Sequence, residues 1–267
     1  MATKILVAVK QVIALDEDFE IRADGKDVDA DFFLRDLNEW DDFSLEEAVK
    51  IKEAGGEVEV VVVTVGPEEA DESLRKCLAK GADRAVRIWD ESMEGSDSQA
   101  IARVLAAAIK HEKPDLVFAG VQSSDHSFAS TGIAVAGLLG WPHAAVVNQF
   151  DFSLGATQAT IRRELEGGVL QMMNIDLPAV LSIQLGINTP RYASLRTIKQ
   201  AAAKPIETLG LGDLSLNAAE VGEVGSASRV RRMYIPEKGR AQMIEGSLAE
   251  QAAKLAAIIK EFKGATV

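Results

Sequence analysis

The sequence predicts an α/β fold in which helices cover both faces of a parallel sheet. Short apolar runs, of which the β-branched run Val58–Val65 is the clearest, are typical of strands buried on both faces. Between these runs lie segments whose apolar residues recur at helical spacing. Strand and helix therefore alternate along more than half of the chain, and the crossover connections that this requires make successive strands parallel.

The elements of this region follow one another in a regular order. Residues 5–9 form the first predicted strand, and Ser44 with Glu47 has the pattern of a capping box that starts the first helix. The strand Val58–Val65 comes next. Further helices are predicted at 68–80, 97–111 and 131–139, and further strands at 85–88, 116–119 and 144–147.

The periodicity changes in the second half of the chain. Three strand-like runs, at 159–165, 170–175 and 179–183, are separated by turn residues and are interpreted as an antiparallel hairpin appended to the sheet. Further elements are a loop at 188–195, a short helix at 198–203, a linker at 209–225, a basic irregular stretch at 229–239 and a helix at 248–262. The predicted domains are an α/β domain at 1–187, a loop segment at 188–204 and an extended C-terminal arm with a helix at 205–267.

Composition excludes several classes of function. Lys and Arg number 29 and Asp and Glu 41, so the formal net charge is −12. A surface this negative repels nucleic acids and anionic lipids, and binding to neither is expected. The single cysteine, Cys77, rules out an intrachain disulfide. Because no apolar run could span a membrane and no signal peptide is visible, we expect a cytoplasmic protein without membrane insertion.

One loop, between a predicted strand and the helix that follows it, has an unusual composition. Small and hydroxyl residues dominate it from Gly120 to Gly132. Its last residues, Ser130 and Thr131, stand at a helix start, where free backbone N–H groups and the helix dipole favour phosphate. The loop's own residues leave two possibilities open, a phosphate site or a capped loop that binds nothing.

A set of short motifs then occurs in one order along the chain. They are Leu6-Val7-Ala8-Val9-Lys10-Gln11, Val65-Gly66-Pro67, Gly81-Ala82-Asp83-Arg84, Gly120-x-Gln122, Asp125, Thr131-Gly132, Trp141-Pro142 and Asn188-x-Pro190-Arg191-Tyr192-Ala193-x-Leu195. Through this set the chain resembles the β subunits of electron transfer flavoproteins, as far as about Lys199. Residues 229–240 resemble the methylotroph branch of that family, which takes electrons from trimethylamine dehydrogenase.

The resemblance implies a Rossmann-like sheet of the adenine-nucleotide α-hydrolase type and a heterodimer with an α subunit. That subunit holds most of an FAD, which carries electrons from dehydrogenases to an acceptor, so the β subunit is an electron carrier and not an enzyme. The β subunit itself buries a structural AMP. The cofactor contacts would be Ala8, Asn38, Glu39, Trp40, Asp41, Val65, Gly120, Val121, Gln122, Ser123, Ser124, Asp125, His126, Ser127, Phe128, Ala129, Ser130 and Thr131.

Three positions depart from the family pattern. Many relatives have Asn-Gln-Thr where this chain has Ala129-Ser130-Thr131, so backbone N–H groups must hold more of the phosphate. Leu15, the position expected nearest the FAD, replaces a frequent aromatic and offers apolar packing alone. Family members that bifurcate electrons bind a second FAD in place of AMP. Their loop is not cleanly matched here and Phe128 would crowd a larger cofactor, so AMP is expected and a second FAD is the alternative.

Residues 188–199 resemble the loop by which the family docks on dehydrogenases. Leu195 would be the exposed anchor that enters a pocket of the partner, with Tyr192 beside it. An apolar residue on a polar loop is suited to be such a hot spot. The alternative is that Leu195 packs on the body of the protein below it.

The C-terminal arm offers a second contact with another chain. Arg229, Arg231 and Arg232 form a basic cluster that we expect to grip an acidic surface of the α subunit. The predicted helix at 248–262 would lie against the same subunit. An intramolecular position for this helix stays open.

Two other functions compete with the carrier. A nucleotide-hydrolysing enzyme of the α-hydrolase fold would need a pyrophosphate loop and paired metal-binding acids, yet Asp125 is the only acid between Gly120 and Gly132. A stress-type nucleotide-sensing module would be shorter and would lack the recognition loop. No metal is expected, because the three histidines do not have metal-ligand spacing and one cysteine cannot form a thiolate site.

Overall fold

A computed structural model of the chain describes residues 3–14, 19–29, 33–236, 239 and 241–264, without the side chains of 263 and 264. The chain forms two compact units that divide between Arg231 and Arg232. The first unit contains a nine-stranded, mostly parallel sheet with helices on both faces, together with a separate two-stranded sheet. The predicted α/β fold class is therefore confirmed.

The large sheet runs in the order β11-β5-β4-β1-β6-β10-β7-β8-β9, and β2 and β3 pair in the small antiparallel sheet. The strands are β1 Thr3–Ala8, β2 Gln11–Ile13, β3 Arg35–Leu37, β4 Val58–Val65, β5 Arg84–Ile88, β6 Leu116–Gly120, β7 His143–Asp151, β8 Gln158–Glu164, β9 Leu170–Asp176, β10 Ala179–Ile183 and β11 Glu207–Leu209.

The helices are α1 Glu39–Glu53, α2 Asp71–Lys80, α3 Ser98–Glu112, α4 Thr131–Leu139, α5 Leu195–Ala202, α6 Gly222–Gly225 and α7 Leu248–Gly264.

Two hydrophobic clusters cover the two faces of the large sheet. Because side chains alternate along a strand, Ile5 of β1 packs in the cluster that contains α1 and α2. Its neighbour Leu6 packs in the cluster that contains α3 and α4. Cys77 is buried in the first of these clusters.

The centre of the sheet brings three strand ends to one edge. Ala8, the last residue of β1, lies opposite Val63 of β4 and Ala119 of β6. The chain segments that leave these strands therefore emerge side by side at the carboxyl edge. In open parallel sheets this edge is where ligands bind.

The position of β10 differs from the prediction of an antiparallel run. Ala179–Ile183 lies between β6 and β7 and is parallel to both. All five of its residues are buried, which is typical of a central strand covered by helices on both faces. The antiparallel extension consists of β8 and β9, which pair with each other, while β8 also pairs with β7.

Residues 209–225, predicted as a linker, are instead a packed part of the first unit. β11 pairs with β5 and extends the sheet. Leu211, Leu214 and Val221 are buried in the cluster that contains α3 and α4. Glycine and polar residues surround these three apolar residues in the sequence, so no regular apolar spacing indicates that they are buried. The first unit thus continues to Arg231, beyond residue 205 where the arm is predicted to begin.

The second unit contains α7, close to its predicted bounds. The described residues between Arg232 and Ser247 have no regular secondary structure. Five large apolar side chains of α7 are each at least 44% exposed, namely Leu248, Leu255, Ile258, Ile259 and Phe262. Among the described residues, no helix has the length and apolar character needed to cross a membrane.

Candidate nucleotide and docking sites

Asp41 joins two chain segments at the carboxyl edge of the sheet. Its carboxylate accepts hydrogen bonds from the backbone N–H groups of Lys10, just after β1, and Gly120, the last residue of β6, at 2.7 and 2.9 Å. Asp41 lies in the first turn of α1 and is 5% exposed. This one side chain sets the spacing between the ends of two central strands.

Burial raises the pKa of Asp41 to about 7, although its backbone donors and the Lys10 charge act in the opposite direction. The ordinary value for aspartate is 3.8. At pH values between 3.8 and about 7, Asp41 is protonated in the folded chain and ionised in the unfolded chain. The unfolded state then binds fewer protons, so Asp41 makes the free energy of unfolding decrease as the pH rises through this window.

Asp41→Asn is expected to be most destabilising at low pH. The amide has the size of the carboxyl group but cannot accept from both N–H groups, which costs about 1–3 kcal/mol. This cost should shrink towards about pH 8, where the parent protein carries a buried charge that the variant lacks. Thermal unfolding midpoints at about pH 5 and about pH 8 measure the effect. An equal midpoint difference at both values would contradict it.

Asn38 holds the loop that follows β6. Its Nδ2 donates to the carbonyl oxygen of Gln122 at 2.9 Å, and its Oδ1 accepts from the N–H of Ser124 at 3.1 Å. Asn38 also directly precedes α1, so the predicted capping box at Ser44 is wrong. Ser44 is buried inside α1 and donates to the carbonyl of Trp40. The helix start is hard to recognise because the Asn38 side chain serves the distant loop and does not cap its own helix.

Lys10 brings a positive charge to the same loop. Its Nζ lies 2.7 Å from both carboxylate oxygens of Asp125, and 3.3 Å from both Ser123 Oγ and His126 Nδ1. Burial alone would raise the pKa of Asp125, but the hydrogen bond from Lys10 holds this pKa below its ordinary value. Lys10 is not among the predicted cofactor contacts, although it lies two residues after the end of β1, at the edge where the strand ends are expected to converge.

The start of α4 has free N–H groups for an anion. Ser130 precedes this helix, but no described side chain caps it, and the Ser130 hydroxyl donates to Ser98 Oγ at 3.0 Å. The start of α3 differs, because the Asp97 carboxylate accepts from the N–H groups of Gln99 and Ala100. The first N–H groups of a helix have no partner within it. The uncapped start of α4 therefore fits a phosphate group.

The loop residues just before α4 form a tight turn. Ser127 and Ala129 have φ angles of 51° and 50°, in the left-handed region that residues other than glycine seldom adopt. The Ser127 N–H donates to the carbonyl of Ser123 at 2.9 Å and closes this turn. Phe128 stacks on His126 with ring centroids 5.5 Å apart and remains 65% exposed.

Gly120 is the point of closest approach between the end of β6 and α1. A Cβ atom at this position would lie 2.5 Å from Asp41 Oδ1 and 2.5 Å from Trp40 Cβ. Carbon atoms do not approach other heavy atoms so closely without displacing them. The close approach that gives Asp41 its hydrogen bond from Gly120 therefore requires a glycine.

The predicted docking residues lie on the surface, in the segment after β10. Tyr192 is 99% exposed and Leu195 is 80% exposed. Leu195 is the first residue of α5, whose start is capped by Ser194 through a hydrogen bond from the N–H of Thr197 at 3.2 Å. Leu195 thus does not pack on the body of the protein below it. Its exposed side chain stands at the start of a capped helix, which is a suitable place for a protein contact.

The chain has relatives of known family. A family model described as the electron transfer flavoprotein domain matches residues 34–214, about two thirds of the chain. The chain belongs to the electron transfer flavoprotein family. It is 68% identical to the electron transfer flavoprotein subunit beta of Methylophilus methylotrophus, over 98% of this chain and 100% of the relative. Its identity to the mitochondrial subunit beta of Arabidopsis thaliana is 35%, over 94% of this chain and 97% of the relative.

These matches make the chain a β subunit of that family. Membership defines it as an electron-carrier subunit and not an enzyme, and it implies a flavin and an α partner. The hydrolysing enzyme and the nucleotide-sensing module are thereby set aside. Among the described residues of this β subunit, no group of three or more His, Cys, Asp or Glu side chains could hold a metal ion.

Most of the predicted cofactor contacts of the β subunit come together at the carboxyl edge. The bonds described above link Asn38, Asp41, Gly120, Gln122, Ser123, Ser124, Asp125, His126 and Ser127. Ala8 and Val65 end β1 and β4 at this edge. The Trp40 indole is directed elsewhere and donates to Gln184 Oε1 at 3.2 Å, while Glu39 is exposed. Leu15 lies outside the described residues.

Proposed function

We propose that this β subunit binds AMP as a structural nucleotide in the loop from Gly120 to Thr131. Together with an α subunit, it would enclose the FAD that carries electrons from a dehydrogenase to an acceptor. The observation that carries the proposal is the uncapped start of α4 beside a loop tied down by Asn38, Asp41 and Lys10. A loop already held by the protein's own bonds needs little ordering when a ligand binds.

The chemistry of the loop suits a nucleotide monophosphate. The N–H groups of Thr131 and Gly132 at the start of α4 would bind the phosphate. The hydroxyl groups of Ser127 and Ser130 lie just before this helix, but they already donate to the Ser123 carbonyl and to Ser98 Oγ. Each would have to exchange that partner to donate to a phosphate oxygen. Ala129 has no polar side chain, so the backbone would carry a larger part of this recognition.

The FAD would lie between the two subunits and supply the electron-carrying chemistry. The α subunit would hold most of it, while the region of Leu15 and the loop after Gly120 would border it on this side. The basic cluster of Arg229, Arg231 and Arg232 would bind an acidic surface of the α subunit. Arg231 and Arg232 are exposed, and Arg229 is also exposed, although its Nε donates to the carbonyl of Glu223. The apolar residues exposed on α7 would lie against the same subunit.

Electron delivery would occur by docking at Tyr192 and Leu195. The donor would be a flavin-containing dehydrogenase similar to trimethylamine dehydrogenase, and the β subunit would contribute distance and orientation instead of bond chemistry. The exposure of both side chains supports this proposal.

The proposal predicts one FAD and one AMP per αβ pair. Denaturing the purified complex, identifying the released small molecules by mass and quantifying them against protein tests it directly. Two FAD molecules without AMP would contradict the AMP assignment and would favour the electron-bifurcating alternative. A complex with one FAD and no second nucleotide would contradict nucleotide binding by the loop.

A further inference from the structure

The segment that carries Tyr192 and Leu195 is fastened to α1 through Arg191. The Arg191 Nε and Nη2 atoms donate to the two carboxylate oxygens of Glu46, each at 2.9 Å. Nη1 and Nη2 also donate to the two carboxylate oxygens of Glu53, about two turns further along the same helix. One guanidinium group thus forms paired hydrogen bonds with two carboxylates at once, a geometry that lysine cannot reproduce.

The two carboxylates differ in burial. The Glu46 side chain is 9% exposed and that of Glu53 is 57% exposed. A buried carboxylate without a partner is strongly unfavourable, so Glu46 depends on Arg191. Hydrogen bonds from Arg191 also hold the pKa of Glu53 below its ordinary value. We call the paired hydrogen bonds of Arg191 with Glu46 and Glu53 the clamp. Its half at Glu46 is buried and its half at Glu53 is accessible to solvent.

A second fastening lies three residues earlier. The Asn188 Nδ2 atom donates to the carbonyl of Phe43 at 3.0 Å and to Glu47 Oε2 at 2.9 Å. In addition, the backbone N–H of Arg191 donates to Glu46 at 3.2 Å. Residues 188–191 are thereby pinned to α1, whereas Tyr192, the next residue, is almost fully exposed. The fastenings end where the exposed docking residues begin.

We propose that Arg191 is a positioning residue for donor docking, which presents Tyr192 and Leu195 by clamping their segment to Glu46 and Glu53. The inference rests on the proposed function of these two side chains. Without the clamp, the segment would populate several conformations. Its apparent affinity for a donor would then fall by the fraction of molecules in the docking conformation.

The first test measures order in the segment and needs no donor. Amide hydrogen exchange is followed in the purified αβ complex for the parent protein, Arg191→Met and Arg191→Lys. We expect exchange in residues 188–202 to become about 10-fold faster in both variants, with little change elsewhere. Glu53→Gln, which alters the accessible half of the clamp, should produce a smaller change and keeps the test usable if Arg191→Met folds poorly. Unchanged exchange in all three variants would overturn the inference.

The second test measures docking, with trimethylamine dehydrogenase as the electron donor. Arg191→Lys should raise the apparent KM for this donor about 5-fold and leave the rate at saturation unchanged. Arg103→Met is the matched control, because Arg103 also fastens a loop, to the carbonyls of Glu220 and Gly225. It should dock like the parent protein.

Leu195→Ala separates the two ways in which this test can fail. If Leu195→Ala raises the KM but Arg191→Lys does not, the positioning role is wrong and the docking site stands. If neither variant changes the KM, the proposed docking site is wrong, and the positioning role is overturned with it.

Discussion

Leu195→Ala is expected to slow electron acceptance from the dehydrogenase about 30-fold, since removing a central apolar anchor costs about 2 kcal/mol and each 1.4 kcal/mol is tenfold. The side chain is 80% exposed and stands at the start of α5, so its truncation leaves no cavity in the protein core. FAD content and thermal stability should therefore not change. Stopped-flow measurement of flavin reduction at sub-saturating donor gives the rate.

Val224→Ala is the control for this prediction. Val224 is also strongly exposed, at 74%, and it lies near Val221, which packs in the cluster of α3 and α4. The docking segment, residues 188–202 with Tyr192 and Leu195, lies on the other face of the sheet, where α5 packs on α2. The control should accept electrons at the parent rate. Equal rates for Leu195→Ala and the parent would show that Leu195 does not contribute to docking.

Gly120→Ala is expected to release the AMP that we propose for the loop and to destabilise the protein by about 3 kcal/mol, because a tightly packed site must open to admit the methyl group. The added carbon would meet Asp41 Oδ1 and Trp40 Cβ at 2.5 Å. Moving Asp41 away would break its bond to the Gly120 N–H and loosen the loop that follows. The AMP content per αβ pair and the thermal midpoint of the purified complex measure the two effects.

Gly137→Ala provides a matched glycine substitution in the neighbouring helix. A Cβ at Gly137 would have no other heavy atom within 4 Å, and this residue lies inside α4. Alanine favours helix over glycine by about 1 kcal/mol, so this variant should be at least as stable as the parent and should keep its nucleotide. Nucleotide loss in both variants would mean that the effect at Gly120 does not arise from the close approach.

Much of the fold could be predicted because its signals are local. Val58–Val65 and Thr131–Leu139 have the bounds predicted for them, the first from a β-branched run and the second from hydroxyl residues before an apolar stretch and a glycine after it. The position of β10 could not be predicted in this way. A short apolar run indicates burial on both faces, but it does not identify the neighbouring strands.

The candidate site likewise has a part that local sequence predicts and a part that depends on contacts between distant segments. The loop from Gly120 to Thr131 could be found from its composition and its place before a helix. The bond between Asp41 and Gly120 joins residues 79 positions apart, and the clamp between Arg191 and Glu46 joins residues 145 positions apart. Nothing in the neighbourhood of either acid indicates its partner, because these contacts depend on how α1 packs across the strand ends.

The sequence by itself determined the family, the alternation of strands and helices, and the composition of the two segments for which we propose nucleotide binding and docking. Periodicity and short motifs encode these features, since each depends on which side chains a few neighbouring residues bury or expose. The tertiary structure alone decided the place of β10, the role of Asp41 as a bridge and the fastening of the docking segment to α1. Each of these requires distant segments to meet, and that meeting depends on the packing of the whole sheet and its helices.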